Sequence, residues 1–365
     1  MNRVNSIKTK LKSYKIDAIF VTSPYNISYL VNLFPSTIEE REYYILITKQ
    51  NSYLLAPKMF MMAVKEKTKN FIYLEITAKK GLYENILEIC KKENIKSVGF
   101  EKDNLLHKEF EHLKEVLGNI ELTSLEEFVE EERQVKDESE IEKIKKACKL
   151  TDDAFSNILA KINKGISEKE LAFEIENYIR QNGGQIAFST IVAFGKNGAV
   201  PHHISTNQKL KANSFILLDF GAKVNGYCSD MSRTIYFGTP NDREVEIYNA
   251  VLEAQQMALQ KLKEWKRKDF ETSHLHTISE SHIESKGFPS FPHSLGHGVG
   301  LQVHESPSIS KYSERNSLYE NMVITIEPAI YEPEIGGVRI EDDVLLTKTG
   351  YEILTKSPKE LTIIK

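Results

Sequence analysis

The 365-residue sequence predicts a two-domain chain of α/β (α+β) class, with an α/β domain over residues 1–130 and a second domain over residues 131–365. Three observations predict it. Short β-rich runs alternate with helical patterns up to about residue 130. A strong helix-start signal at Asp137 then opens a stretch of long amphipathic helices. Finally, four carboxylates lie in strand-like apolar segments grouped around glycine-containing turns.

In the first domain, AIFV (18–21), YYILIT (43–48), SYLLA (52–56), FIYLEI (71–76) and SVGFE (97–101) have the β-branched and aromatic content of strands. Helical periodicity runs at about 82–92 and 108–117. No His, Cys, Asp or Glu cluster with ligand spacing occurs here, which leaves this half the role of shaping a cleft or an oligomer contact.

The second domain opens where Asp137, three residues before Glu140, forms an aspartate version of the capping box. Ile141, Ile144, Cys148, Phe155, Ile158, Leu159 and Ile162 follow at helical spacing, with Gly165 as the expected stop. Ser167 and Glu170 cap a second helix, whose Leu171, Ile175 and Ile179 share a face before Gly183-Gly184. A third helix is expected at about 243–263, with Val245, Tyr248, Leu252, Leu259 and Leu262 inward and Gln255 as the polar interruption.

Between these helices lie the carboxylate pairs: Asp219 (ILLDFG) with Asp230 (YCSDMSRT), and Glu327 (VITIEPAIY) with Glu341 (GGVRIEDDVLL). Each pair spans a candidate hairpin turn, at Asn225-Gly226 and Gly336-Gly337. The repeated design predicts a pseudo-symmetric domain with its site between the halves. An unpaired buried charge costs several kcal/mol, on the order of what a divalent cation must offset. With His297 of HSLGHGVGL they read as five ligands of a two-metal hydrolase. Hard oxygens plus one imidazole suit manganese, cobalt, iron or zinc.

Period-two alternation sorts the neighbours. Arg339, Glu341 and Asp343 share one strand face, while Ile340 and Asp342 take the other; Thr325 accompanies Glu327, and Ser232 accompanies Asp230. His293 and His304 flank His297, whereas His202 and His203 occupy the loop NGAVPHHIS. Such imidazoles can hydrogen-bond an oxyanion or pass a proton to a leaving amine. His274, His276 and His282 read as solvated surface residues of a polar helix.

Composition narrows the partners. A net charge of −4 with dispersed Lys and Arg gives no basic footprint for nucleic acid, and no apolar run approaches membrane-spanning length. Three scattered cysteines suggest buried thiols rather than disulfides or zinc clusters. With no signal-peptide pattern in MNRVNSIKTKLKSYK, a cytoplasmic location is expected.

The blocks LLDFGAKVNGYCSDMSRT, HSLGHGVGLQVHESP, TIEPAIY and GGVRIEDDVLL resemble, in order, the signature blocks of the pita-bread metallopeptidases, of Xaa-Pro aminopeptidase and Xaa-Pro dipeptidase (prolidase) type. RQVKDESEI and AFSTIVAFGKNGAVPHH are similar to earlier family blocks, and residues 1–130 resemble the creatinase-type N-terminal domain. The resemblance implies two divalent metal ions per chain, with manganese first and cobalt or zinc as alternatives. It implies that Asp219 binds one metal, that His297 and Glu327 hold the other, and that Asp230 and Glu341 bridge them. It makes Glu327, His202 and His304 catalytic, and His202, His293, His304 and Arg339 substrate-binding, with His202 rather than His203 matching the motif. It also implies a homodimer or larger assembly.

Asn321 and Ala329 stand where the family commonly has glycine, Ser232 replaces the usual threonine, and residues 266–290 lack the usual Asp-x-x-Ala-Arg stretch. The expected activity is hydrolysis of the Xaa-Pro bond at the N-terminus of peptides with proline second, an Xaa-Pro aminopeptidase. An Xaa-Pro dipeptidase restricted to dipeptides is the alternative. A creatinase-like non-peptidase and an inactive binding module stand behind both, disfavoured by retention of all five ligands.

Overall fold

The computed structural model describes residues 3–33, 41–65, 68, 70–268, 270–313 and 318–365, apart from the side chains of residues 62 and 63. The chain divides into two compact units, Met1–Arg133 and Gln134–Lys365.

The first unit is a mixed six-stranded sheet in the order Ile72–Ile76, Ser52–Pro57, Tyr44–Thr48, Ala18–Val21, Ser97–Glu101, Glu121–Leu125. Its middle strands, including Ala18–Val21 and Ser97–Glu101, are almost entirely buried, as near-continuous apolar runs require when helices cover a sheet. Helix Leu82–Lys92 packs Ile86 and Ile89 against Phe20 and Val98 of this core. The edge strand Glu121–Leu125 was not expected. Its sequence, ELTSL, is short and largely polar, with Leu125 alone fully buried, which is how edge strands avoid further pairing but also what hides them from pattern reading. The buried carboxylate of Glu101 accepts hydrogen bonds from the Thr22 and Ser23 amides and from Asn26 Nδ2.

The second unit repeats one plan twice. Helices Glu138–Leu159 and Glu168–Gln181 contribute Phe155, Ile158, Leu171 and Ile175 to a core shared with Ile216, Leu218 and Ile235 of strands Ser214–Phe220 and Met231–Phe237. Helices Asp242–Leu262 and Ser273–Ser285 do the same with strands Val323–Ile326 and Asp342–Thr347, through Val251, Leu275, Ile324 and Val344. Both expected capping boxes form, at Asp137 with Glu140 and at Ser167 with Glu170. The first helix ends at Leu159 rather than at Gly165, which sits later in the connection at φ 90°. In helix Asp242–Leu262 the buried face is Ile247, Tyr248, Val251, Ala254, Ala258 and Leu259; Val245 and Leu252 are only partly buried. Alanines at 254 and 258 blurred the periodicity, because small residues fill a tight helix–sheet gap without raising the hydrophobic signal.

Each half carries one long antiparallel ribbon, broken in the middle. In the first, Asp219 faces Ser232 before the break and Lys223 faces Cys228 after it, in one uninterrupted register. The turn is Asn225-Gly226, with φ of 50° and 85°, the left-handed pair that a two-residue type I′ hairpin requires. In the second, Ile326 faces Asp342 before the break and Ala329 faces Arg339 after it, again in one register, so Glu327 and Glu341 fall opposite each other.

The turn of the second ribbon lies at 333–335, not at Gly336-Gly337. Those glycines begin strand Gly336–Arg339 and permit close backbone approach: a Cβ on Gly337 would stand 1.9 Å from the Gly198 carbonyl oxygen.

Backbone groups released at the second break find partners. Gln255 Nε2 donates to the Ile326 and Ile340 carbonyls at 3.2 and 3.3 Å, which explains a buried polar residue on the helix face. The Glu341 amide donates to Ser232 O and the Glu327 amide to Leu295 O. Arg233, 1% exposed, ties the ribbons together: its guanidinium donates to Asp342 Oδ1 at 2.7 Å, Ser232 O at 2.9 Å and Ser357 O at 2.9 Å. Among the described residues, no helix is long and apolar enough to cross a membrane.

Truncating Asp342 leaves the buried Arg233 without its carboxylate. Asp342→Ala is expected to cost about 3–5 kcal/mol of unfolding free energy, measured by denaturant titration of the second unit's transition. A loss below about 1 kcal/mol would show that Ser357 and the backbone carbonyls alone compensate the guanidinium.

Candidate metal centre

The ribbon breaks decide where the carboxylates point. Asp219 is in strand Ser214–Phe220, while Asp230, Glu327 and Glu341 sit at the interruptions, where no strand partner competes for the backbone. His297 comes from the short strand Gly296–Gly298, paired on one side with Glu305–Ile309 and on the other with Val323–Ile326. Its flanking glycines are steric necessities, since a Cβ on Gly296 would lie 2.0 Å from Thr325 O and one on Gly298 2.3 Å from Ser306 O.

The five side chains converge. Ligand atoms of Asp219, Asp230 and Glu341 lie within 4.8 Å of one another, as do those of His297, Glu327 and Glu341, and those of Asp230, His297 and His304. His297 Nδ1 faces the Gly298 carbonyl at 3.1 Å, so the proton belongs on Nδ1 and Nε2 is left to face Glu327 Oε1 at 3.3 Å and Asp230 Oδ2 at 3.7 Å. Thr325 Oγ1 accepts from the His297 amide and donates to Glu327. Ser232 Oγ accepts from Arg339 Nε at 2.8 Å and donates to Glu341 Oε2 at 2.8 Å. Arg339 Nη2 donates to Asp219 Oδ2 at 2.5 Å.

Electrostatics identify what this arrangement is suited to hold. Burial, reinforced by the neighbouring carboxylates, pushes Asp230 and Glu341 well above the ordinary carboxylate range. Glu327 behaves oppositely: burial raises it, but the hydrogen bond and charge of His297 outweigh that and hold it low. His297 is correspondingly raised, its burial overcome by Glu327. Asp230 Oδ1 is buried without a partner. Crowded buried oxygens, one unpartnered, beside an imidazole whose Nε2 is turned towards them are a donor set for divalent transition-metal ions.

Above the ligands is a cavity of about 210 Å³ lined by Phe188, Ile191, Pro201, His202, His293, Ser294, His304 and Arg339 in addition to the five converging residues. His202 and His304 are solvent-exposed at its mouth, and the His304 ring meets that of His297 edge-on at 4.2 Å between centroids. His203 turns away, its Nε2 2.9 Å from Glu168 Oε2. His293 is held at both nitrogens, by Ser294 O at 2.8 Å and the Tyr331 hydroxyl at 3.0 Å. Asp342 points to the opposite side, where Arg233 and Lys359 pair with it.

Three residues near the site carried no role in the sequence reading. Tyr331 accepts from Arg339 Nη1 at 2.7 Å and links it to His293. The alternation that begins at Glu327 already places residue 331 on the same face, so the signal was present. Asp343, placed on the metal face by alternation, accepts the Asp230 amide at 2.9 Å and the Cys148 thiol at 3.3 Å. Glu168 had no signal beyond a helix-start glutamate. The surface reading of the three helix histidines needs correction at one position: His276 is 3% exposed, its ring against Phe291 at 5.0 Å, because helix Ser273–Ser285 turns that residue onto the second core. His274 is exposed and His282 bonds Glu253.

Residues 142–348 match the model of metallopeptidase family M24, and residues 3–135 match that of the creatinase/prolidase N-terminal domain. The chain belongs to metallopeptidase family M24. It is 36% identical over 361 residues to the Xaa-Pro dipeptidase of Pyrococcus furiosus, covering 98% of this chain and 99% of the relative. Among solved structures it superposes on an Xaa-Pro dipeptidase from Bacillus anthracis with a TM-score of 0.90 at 33% identity, covering 99% of both chains. It superposes on the X-Pro aminopeptidase of Thermotoga maritima with a TM-score of 0.86 at 31% identity, covering 98% of this chain and 100% of the other. As an M24 protein it is a metal-dependent peptidase of pita-bread fold preceded by a creatinase-like domain.

The carboxylate crowding yields an opposite-sign prediction for stability and binding. Asp230→Asn is expected to raise the thermal midpoint of the chelator-stripped protein at neutral pH by several degrees, because an amide needs no proton to be buried there whereas Asp230, raised in the folded state, must hold one that the unfolded chain would release. It is also expected to abolish most of the midpoint increase that manganese produces in the wild type, an increase equivalent to about 2.7 kcal/mol at a metal concentration 100 times Kd. A variant that is less stable without metal and still fully stabilised by it would refute both halves.

Proposed function

We propose that this M24 peptidase is an Xaa-Pro dipeptidase, a prolidase, which reverses the order of the two readings drawn from the sequence. The observation that carries the reading is that near-full-length relatives, the P. furiosus protein and the B. anthracis structure among them, are named Xaa-Pro dipeptidase. The aminopeptidase reading keeps the support of the T. maritima structure.

In this reading Asp219, Asp230, His297, Glu327 and Glu341 hold two divalent ions, manganese first, with cobalt or zinc as alternatives. When bound, such ions polarise a carbonyl and make a water nucleophilic near neutral pH. Glu327 would take up the proton that the attacking water sheds and return it to the proline nitrogen as that bond breaks. That nitrogen bears no hydrogen in the substrate, so selection rests on ring shape and on the neighbouring carboxylate. In this reading His202 and His304, which are exposed and line the cavity, donate to the scissile carbonyl and to that carboxylate.

His293 acts differently. Its Nδ1–H donates to Ser294 O, so Nε2 accepts from Tyr331, and the ring packs against substrate as a neutral wall. Arg339 lines the cavity, but its guanidinium is engaged by Asp219, Ser232 and Tyr331; its main contribution is to hold Asp219 in place. A homodimeric assembly belongs to the same proposal and rests on the family resemblance.

Initial rates on Ala-Pro, Ala-Pro-Ala and Ala-Leu with manganese, cobalt or zinc test this. We expect kcat/KM for Ala-Pro to exceed that for the tripeptide by about tenfold or more, roughly 1.4 kcal/mol in transition-state stabilisation. Preference for the tripeptide would restore the aminopeptidase reading, and preference for Ala-Leu would remove proline specificity.

A further inference from the structure

A buried glutamate lies outside the metal centre yet organises one wall of its cavity. Glu168, fully buried, is the first residue of helix Glu168–Gln181, immediately after the capping Ser167. Its carboxylate receives five hydrogen bonds, all from one segment downstream. Oε1 accepts the Phe194 amide at 2.9 Å and Asn197 Nδ2 at 2.8 Å; Oε2 accepts the Thr206 amide at 2.8 Å, Thr206 Oγ1 at 2.7 Å and His203 Nε2 at 2.9 Å. One carboxylate therefore grips both ends of residues 194–206 and two points between them.

What it grips is the loop that presents His202. Between the anchors at Asn197 and His203 the chain makes a tight turn, with the Val200 amide on Asn197 O and the His203 amide on Val200 O. The turn projects Val200, His202 and Ile204, all exposed, while Pro201 and His202 line the cavity. Other contacts share the work: Arg339 Nη1 reaches Pro201 O at 3.4 Å, Gly198 rests on Gly337, Lys196 pairs with Glu334, and Ser205 Oγ accepts the Val192 amide at 2.9 Å. Because His202 and His203 are adjacent, fixing the second ring inward directs the first outward. Burial works against the charge on Glu168, but the bonds from His203, Thr206, Phe194 and Asn197 prevail and keep the carboxyl below its ordinary value.

We infer that Glu168 is a positioning residue for peptide hydrolysis: through His203 and the 194–206 segment it fixes the turn that holds His202 over the metal-centre cavity. The inference rests on the proposed substrate-side role of His202. It also gives the His-His pair a division of labour, with one imidazole facing the cavity and its neighbour serving as a buried anchor.

The test is a double-mutant cycle joined to a measurement that needs no substrate. With manganese-loaded enzyme and Ala-Pro, E168Q is expected to lower kcat about tenfold with little change in KM and unchanged metal content. In an H202N background the same substitution should add almost nothing, because a residue acting through His202 has no further effect once that ring is lost. In metal-free protein, amide hydrogen exchange across residues 195–206 should quicken in E168Q while helix Glu138–Leu159 keeps its protection.

If E168Q does not fold, H203Q removes a single anchor and should show a smaller loss with the same non-additivity. Losses that multiply in the H202N background, or wild-type kcat with unaltered exchange, would overturn the inference. Wild-type protein inert towards Ala-Pro would refute the proline reading instead; the cycle is then run on Ala-Leu, and the exchange result stands independently.

Discussion

Like charges buried together are the constraint on which the second unit is built. Two unit charges 4 Å apart repel by about 4 kcal/mol even at an effective dielectric of 20. A handful of such pairs rivals the roughly 5–15 kcal/mol that holds a domain folded. Asp219, Asp230 and Glu341 crowd ligand atoms within 4.8 Å of one another, with Glu327 alongside. Arg339 and His297 form ion pairs with them from within the protein. Without cations the cluster must keep protons it would otherwise lose, which is what the raised Asp230 and Glu341 carboxyls express. Divalent ions held there would relieve this repulsion, and the relief would add to their binding energy.

Such a cluster needs rigid support, and the broken ribbons provide it. A continuous strand pair would send successive side chains alternately to the core and the opposite face, with no freedom to gather four carboxylates. Interrupting each ribbon while preserving register lets three of the four acidic residues sit where their backbone partners come from outside the ladder. The Asp230 amide goes to Asp343, the Glu327 amide to Leu295 O and the Glu341 amide to Ser232 O. Gln255 and Arg233 then absorb the carbonyls freed at and around the breaks. Buried polar residues far from substrate are thus consequences of the breaks, and the breaks are consequences of the metal centre.

Much of this was legible in the sequence. Capping boxes at Asp137 and Ser167, the Asn225-Gly226 turn and the alternation through 339–343 depend on local chemistry, and local chemistry is what a sequence displays. Three features were not legible, each for a tertiary reason. Gly336-Gly337 reads as a turn, yet its glycines answer to the Gly198 and Gly195 backbone, more than a hundred residues away in the chain. His276 reads as solvated because its neighbours are polar, and only the docking of its helix decides which face is inward. Glu168 reads as an ordinary first-turn glutamate; its five donors all come from residues 194–206, a segment that by sequence is simply a loop rich in glycine.

The consecutive residues Glu341, Asp342 and Asp343 show how far backbone geometry, rather than residue type, sets chemistry. All three are acidic and nearly inaccessible. Glu341 meets Ser232 and the other site carboxylates, so it is short of positive charge. Asp342, one residue on and facing the other way, is saturated by Arg233, Lys359, Gln255 and Thr355 and is held below its ordinary value despite burial. Asp343 returns to the first face but stops one layer behind it, accepting the Asp230 amide and the Cys148 thiol. A strand that alternates every residue therefore carries a ligand candidate, a structural ion pair and a backbone support in sequence. The chemistry of the first is possible because the second neutralises Arg233 and the third fixes the facing aspartate.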